Sequence, residues 1–483
     1  MPGEVAKEIE KLKVLPVEDL KAEERRLLRK LDIRLMPTLF VLLILNYLDR
    51  NALASARVQG IEKDLRMKGT DFSTAISILF VGYILGQLPA NLILSRSRPS
   101  VFLAGFVALW GAVSATTAAA DSYAHLVVIR FFLGIVEAPY FPGALFLLSS
   151  WYTKREVALR TALLYSGSLL AGAFSGLIAA GIQAGLDGAH GLPSWRWLFI
   201  IEGSITVGVA LVAIFILPDY PATTRWLSPR ERAVALYRLE TDAGVSDHTP
   251  NSSLMRNLVL ALKDPNLYLL SLAMVCKTTA AAVTQFIPTV VATFGMSKVA
   301  TLLLTAPPYI FSMIISLLVS RLSDRVPERC GHVCVPLVFA LVGFIIAAST
   351  TQTAPRYLSI FLMLGGIYGS YNVALAWISS TFPRPKEKRA AAYAIINGLA
   401  NLAQVWSPYL YPQSDGPRYI KAFSVNSAML FLCIVFSLTL RFYLKRANDR
   451  MDERAAQLRQ AGVAEEEDDE AEGDAVLKIR YLL

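Results

Sequence analysis

Charge is sparse in this 483-residue sequence. Only 18% of its residues are Asp, Glu, Lys or Arg, against about 25% in a soluble domain. With 54% hydrophobic residues, the sequence fits neither an ordinary soluble globule nor a disordered chain. Cysteine is far scarcer, and four in the whole chain exclude a disulfide scaffold. Cys276 and Cys433 fall in apolar runs, and Cys330 and Cys334 are expected in a short basic loop. The stretch Cys330-Gly331-His332-Val333-Cys334 offers three potential ligands in five residues with no fourth nearby, too few for a closed metal site. No metal and no cofactor is expected. Also missing are a G-x-x-x-x-G-K-[ST] phosphate cradle, H-E-x-x-H, C-x-x-C and G-x-S-x-G. The expectation is therefore a non-enzyme driven by a gradient. A secretory signal is absent too: residues 7–34 mix both signs, from Lys7 and Glu8 to Arg29 and Lys30, which reads as a cytosolic tail.

What is abundant is apolar sequence in lengths that suit a bilayer. Runs fall near 35–58, 72–95, 100–119, 123–150, 161–186, 197–217, 266–294, 300–321, 333–350, 356–380, 391–412 and 422–444. Each is about the 20 residues that a spanning helix needs. The fold class is thus an all-α membrane protein with twelve transmembrane helices in two six-helix bundles. The expected division is a tail at 1–34, a bundle at 35–217, a polar linker at 218–265, a second bundle at 266–444 and an acidic tail at 445–483. Inside the linker, Ser228-Pro229-Arg230-Glu231 is a capping box with Pro at the first helical position, so an interfacial helix is expected there. Lys and Arg outnumber Asp and Glu by 47 to 38, despite an acidic run from Glu465 to Asp474. Their clustering on alternate loops assigns both termini to the cytoplasm by the positive-inside rule, leaving no role for nucleic acid. Ser95-Arg96-Ser97-Arg98 after the second run and Ser320-Arg321-Leu322-Ser323-Asp324-Arg325 after the eighth hint at two related halves.

Ionisable residues at membrane depth are costly and mark pathways. Five stand out: Asp49 and Arg50 in the first run, Arg130 and Glu137 in the fourth, and Lys277 in the seventh. Arg130 and Glu137 are two helical turns apart and share a face. Either Asp49 with Arg130 or Arg50 with Glu137 forms an interhelical ion pair. Three cations against two anions leave a positive surplus, which points to a small organic anion as the solute, with Arg50 and Arg130 as its ligands. A buried carboxylate whose Arg partner is captured by the anion can take a proton. Glu137, directly before Pro139, Pro142 and Gly143, is the first proton-coupling site and Asp49 the second. Lys277 is open between a substrate contact, a neutral or snorkelling amine, and an interhelical pair. Asn397 is either a helix bridge or a substrate contact.

Asn46-Tyr47-Leu48-Asp49-Arg50-Asn51, Gly82-Tyr83-Ile84-Leu85-Gly86-Gln87-Leu88-Pro89-Ala90-Asn91, Arg130-Phe131-Phe132-Leu133-Gly134-Ile135-Val136-Glu137-Ala138 with Phe141-Pro142-Gly143, and Trp151-Tyr152 resemble the anion:cation symporter branch of the major facilitator superfamily. The fungal allantoate permease family is the nearest likeness. The resemblance implies alternating access and carboxylate substrates of the allantoate, nicotinate or pantothenate kind. It implies proton coupling at Asp49 and Glu137, anion handling at Arg50 and Arg130, and cavity positions at Tyr47, Trp377 and Asn397. It implies gating at Asp324 and Arg325, whereas Ser95-Arg96-Ser97-Arg98 lacks the matching aspartate. The expectation is a monomeric, proton-coupled importer in the plasma membrane. Export or organellar transport of an acidic metabolite is the alternative, and a non-transporting sensor a different class.

Overall fold

The computed structural model describes residues 2–94, 97–224, 226–244, 254–326, 328–382, 386–460 and 482. Among them every regular element is helical, as lipid requires of a chain whose backbone groups must be satisfied within each segment. Twelve spans follow in order. The first six are Val17–Gln59, Asp71–Leu94, Pro99–Thr116, Tyr123–Glu137 continued by Tyr140–Trp151, Lys154–Gly185 and Ser194–Ile216. The second six are Pro265–Ala281 continued by Ile287–Ala292, Lys298–Leu303 continued by Ala306–Arg325, Cys330–Ser349, Thr353–Gly369 continued by Tyr371–Thr381, Lys386–Trp406 and Ile420–Gln460. Ten of the twelve are long and apolar enough to cross a membrane as single stretches. The second is a helix of 24 residues, Asp71–Leu94, and the eleventh is diluted by Lys386, Lys388 and Arg389 at its start and by Asn397, Asn401 and Gln404 further on. The fold is the all-α, twelve-helix, two-bundle architecture of a multi-pass integral membrane protein.

The first span begins far earlier than its apolar run, at Val17, because Pro16 starts the helix and the Lys, Arg and Glu residues that follow are good helix formers. The linker helix Pro229–Gly244 carries its capping box in full: the Ser228 backbone N–H donates to Glu231 Oε2 at 2.9 Å and the Glu231 N–H to Ser228 Oγ at 3.2 Å. Lys30 donates to Glu231 at 2.7 Å, and Arg230 pairs with Glu23, tying this helix to the polar part of the first span. Cys330 and Cys334 are not in a loop. They open the ninth span as buried residues, with their sulfurs 3.7 Å apart; the short apolar residues around them extend the helix by three residues beyond its expected start at 333. The acidic run at 465–474, together with Ser95, Arg96 and Arg384, lies outside the described residues.

The chain forms two compact units. The first comprises residues 1–248 with 283–310 and 408–417; the second comprises 249–282, 311–407 and 418–483. In the first, Phe286 lies against Phe72 at 6.0 Å and stacks on Tyr411 at 4.2 Å. Lys298 donates to the Gln59 carbonyl at 3.0 Å, and Ser73 donates to the Pro408 carbonyl at 2.9 Å. Gly172 and Gly176 of the fifth span make room for Tyr309 and Thr305. In the second unit, Asp264 caps the seventh span and accepts a 2.7 Å bond from Lys388.

Candidate functional site

The second and fourth spans touch backbone to backbone, and small residues allow it. A methyl group on Gly134 would collide with the Leu79 carbonyl, one on Gly82 with the Phe131 carbonyl, and one on Gly86 would lie 2.8 Å from the Ile135 carbonyl. The close approach is possible because these residues carry no Cβ. It fixes the face of the fourth span that bears Arg130, Gly134 and Glu137. Immediately after Glu137 the helix breaks at Ala138 and Pro139, and a new helix starts at Tyr140, whose hydroxyl donates to the Leu39 carbonyl at 2.5 Å.

Arg50 and Glu137 make the interhelical pair. Arg50 Nε donates to Glu137 Oε2 at 2.7 Å, with the carboxylate fully buried and the Arg50 side chain 13% exposed. The guanidinium is boxed by Tyr83 at 4.7 Å, Tyr47 at 5.6 Å and Phe80 at 5.9 Å. Tyr47 is therefore a wall of the Arg50 box, and Tyr83 and Phe80 join it from the second span. Asp49 takes a different partner: its Oδ1 accepts from the Ser114 hydroxyl of the third span, and its Oδ2 has no hydrogen bond.

Arg130 is 1% exposed. Its Nε and Nη2 have no hydrogen-bond partner, and its guanidinium lies 5.6 Å over the Phe199 ring. Within its electrostatic reach are Asp49, Glu137 and a third carboxylate, Glu202 of the sixth span. Glu202 is 3% exposed, with both oxygens unbonded. It corrects the expected charge balance: with Glu202 the three cations Arg50, Arg130 and Lys277 stand against three carboxylates rather than two, and the cluster in the first unit, without Lys277, holds two cations and three carboxylates among the described residues. The signal in the sequence was a lone acid inside the apolar run 197–217, with no helix breaker or opposite charge beside it.

The second unit holds Lys277 and Trp377, both 2% exposed. Lys277 Nζ has no hydrogen bond and lies 4.7 Å over the Tyr371 ring. It faces a cavity that Met274, Trp377, Cys433 and Ser437 also line. Trp377 Nε1 donates to the Leu482 carbonyl at 3.1 Å. Asn397 is half-buried, so solvent relieves the bonding obligation that full burial would impose. Asp324 is 72% exposed and bonds Arg329 in its own turn at 3.0 Å, and Arg325 is exposed. The loop that lacks a gating aspartate finds a carboxylate elsewhere. Arg98 Nη2 donates to Asp219, beyond the sixth span, at 2.8 Å, and the Ser100 hydroxyl donates to it at 2.5 Å. Burial pushes the Asp219 carboxyl up, but these donors outweigh it and hold the group below its ordinary range.

The sequence profile of the Major Facilitator Superfamily matches residues 39–408. The chain belongs to that superfamily. Among its Major Facilitator relatives, the MFS-type transporter cnsO of Penicillium expansum is 33% identical over 445 residues, covering 89% of this chain and 85% of that one. The Major facilitator-type transporter hxnP of Emericella nidulans is 29% identical over 469 residues, covering 95% and 93%. The xylose transporter XylE from E. coli, in a partially occluded inward-open conformation, superposes with a TM-score of 0.66 at 13% identity, over 84% of this chain and 97% of that one. The chain is a membrane transporter of the Major Facilitator type.

Proposed function

We propose that the protein is a proton-coupled symporter of a small organic carboxylate, of the anion:cation symporter branch and resembling the fungal allantoate permeases. One observation carries this reading. Nε–H and Nη2–H lie on the same edge of a guanidinium, the edge that grips a carboxylate with two parallel bonds, and on Arg130 this buried edge is unbonded. Arg50 supplies a second cation, already neutralised by Glu137. An arriving anion that takes a share of Arg50 leaves Glu137 in apolar surroundings without its counter-charge, which favours proton uptake there. Asp49 stands behind, held by Ser114. Lys277 of the second unit is assigned to a second acidic group on the solute. Asp324 and Arg325 serve as the gating pair, and Trp377 and Asn397 as solute contacts. The protein acts as a monomer in the plasma membrane with both termini in the cytoplasm, by alternating access.

The test is uptake into proteoliposomes with an acidic exterior, using labelled ureido acid, pyridine carboxylate, pantothenate, biotin and a simple dicarboxylate. One carboxylate is expected to accumulate with the proton gradient. Arg130→Ala abolishes this, and Glu137→Gln retains exchange while losing accumulation. Movement of a neutral or cationic solute, with no anion moving, overturns the reading.

A further inference from the structure

The cluster in the first unit contains one carboxylate more than its guanidinium groups balance. Arg50 is committed to Glu137 by a 2.7 Å bond. That leaves Arg130 with Asp49 of the first span and Glu202 of the sixth: its guanidinium lies 5.6 Å over Phe199, one helical turn before Glu202. These two acids differ in their surroundings. Asp49 accepts a hydroxyl hydrogen bond, whereas Glu202 accepts none on either oxygen. The third and sixth spans are in backbone contact beside it: a methyl on Gly203 would lie 2.6 Å from the Gly111 carbonyl, and one on Gly111 would lie 2.9 Å from Thr206.

Among the described residues, no charged side chain bonds Glu202. Arg196 donates to the Ala118 carbonyl and pairs with Asp121 at the start of the helix, Trp195 donates to Asp64, and Gln183 of the fifth span accepts from Ser194. The Thr206 hydroxyl is turned to the backbone carbonyl of Glu202, and Trp110 of the third span has an unbonded indole N–H. An ionised carboxylate with no donor, buried in apolar packing, is far costlier than the neutral acid.

We propose that Glu202 is a proton-binding site and that its carboxylate competes with the transported anion for the free edge of Arg130. With its proton, Glu202 is a neutral acid that leaves the Arg130 edge open, as the structure shows it. Without its proton, Glu202 turns its charge to Arg130, occupies that edge and excludes the anion. Proton and anion therefore enter together: the carboxylate gains one proton from the water that delivers the solute and returns it when the solute leaves. This rests on the anion-symport reading above and adds a third acid, beside Glu137 and Asp49, to the coupling.

Two measurements test it on the full-length protein. The first is infrared difference spectroscopy of purified wild type and Glu202→Gln across a pH titration, reading the carbonyl stretch of the protonated acid. The expected result is a band present in wild type, missing in Glu202→Gln and shifted in Glu202→Asp, which keeps an acid one methylene shorter. The second is binding of the carboxylate panel as a function of pH. Wild-type affinity weakens with rising pH, and Glu202→Gln is less pH-sensitive by one proton, about tenfold per pH unit, with the dependence owed to Glu137 remaining. An unchanged band in Glu202→Gln, or an unchanged proton slope, overturns the proposal. If wild type binds no carboxylate at all, the symport reading fails, while the infrared band still decides whether Glu202 holds a proton.

Discussion

At the scale of single residues, the chain holds charges in three different ways. Arg50 is neutralised by contact with Glu137, Arg130 faces acids that do not bond it, and Lys277 has only an aromatic face. A buried ammonium without a hydrogen bond costs free energy that one aromatic face offsets only in part. Lys277→Met is therefore expected to stabilise the protein by about 1–3 kcal/mol, read as a higher melting temperature in detergent; a lower one means that Lys277 has a counter-charge. Asp219 behaves in the opposite sense. Its carboxyl is held below the ordinary value of 3.8, so its contribution is complete above that value and is lost as pH falls through the lower folded value. Asp219→Asn costs about 1 kcal/mol at pH 7, since the 56% exposed Arg98 is partly screened. The gap to wild type in thermal melts should close in strong acid; a gap that persists there assigns the loss to packing. The sequence made Asp49, Arg50, Arg130 and Glu137 legible, because charge inside an apolar run is conspicuous. It did not reveal who pairs with whom. Arg50 and Glu137 are 87 positions apart, and Glu202 came to Arg130 from a helix with no other charge at that depth.

Among the elements, the second and fourth spans form the most constrained pair around the site. Gly134→Val would push against the Leu79 carbonyl, and overpacking of this kind costs about 1–3 kcal/mol. The displaced fourth span carries Arg130 and Glu137 with it, so melting temperature and uptake should fall together. Gly105→Ala, with open space around the added methyl, is the matched control and leaves both in place. Stability lost without any change in uptake would show that the glycine contact does not position the charges. Here the sequence was legible in part: apolar runs located the twelve spans, and Pro139 marked the break after Glu137. Helix ends were less so. Hydropathy reports where lipid is, whereas the start of the first span at Val17 and the entry of Cys330 into the ninth were decided by helix propensity and packing.

On the scale of the whole molecule, the compact units cut across the six-plus-six order of the spans. Residues 283–310 and 408–417 pack with the first half through Phe286, Lys298, Pro408 and Tyr411. No periodicity in a single sequence encodes which ends of distant helices meet. Thr74 and Tyr409 share a 3.0 Å hydrogen bond in this region. If alternating access requires these ends to separate, Thr74→Cys with Tyr409→Cys, bridged by a short cleavable thiol reagent, stops uptake, and cleavage restores it. Uptake that continues through the bridge would mean that these ends stay together during transport. The first span adds a mechanical side to the electrostatics. It is one helix of 43 residues, roughly 65 Å long, about twice the thickness of the hydrocarbon core. Asp49 and Arg50 sit toward one end, and Glu23 and Lys30, which grip the linker helix, toward the other. Such a rod is a lever. One continuous helix joins the buried charges to the linker helix, so any tilt about its middle moves both ends together, and Pro37 marks where its backbone hydrogen bonding is interrupted.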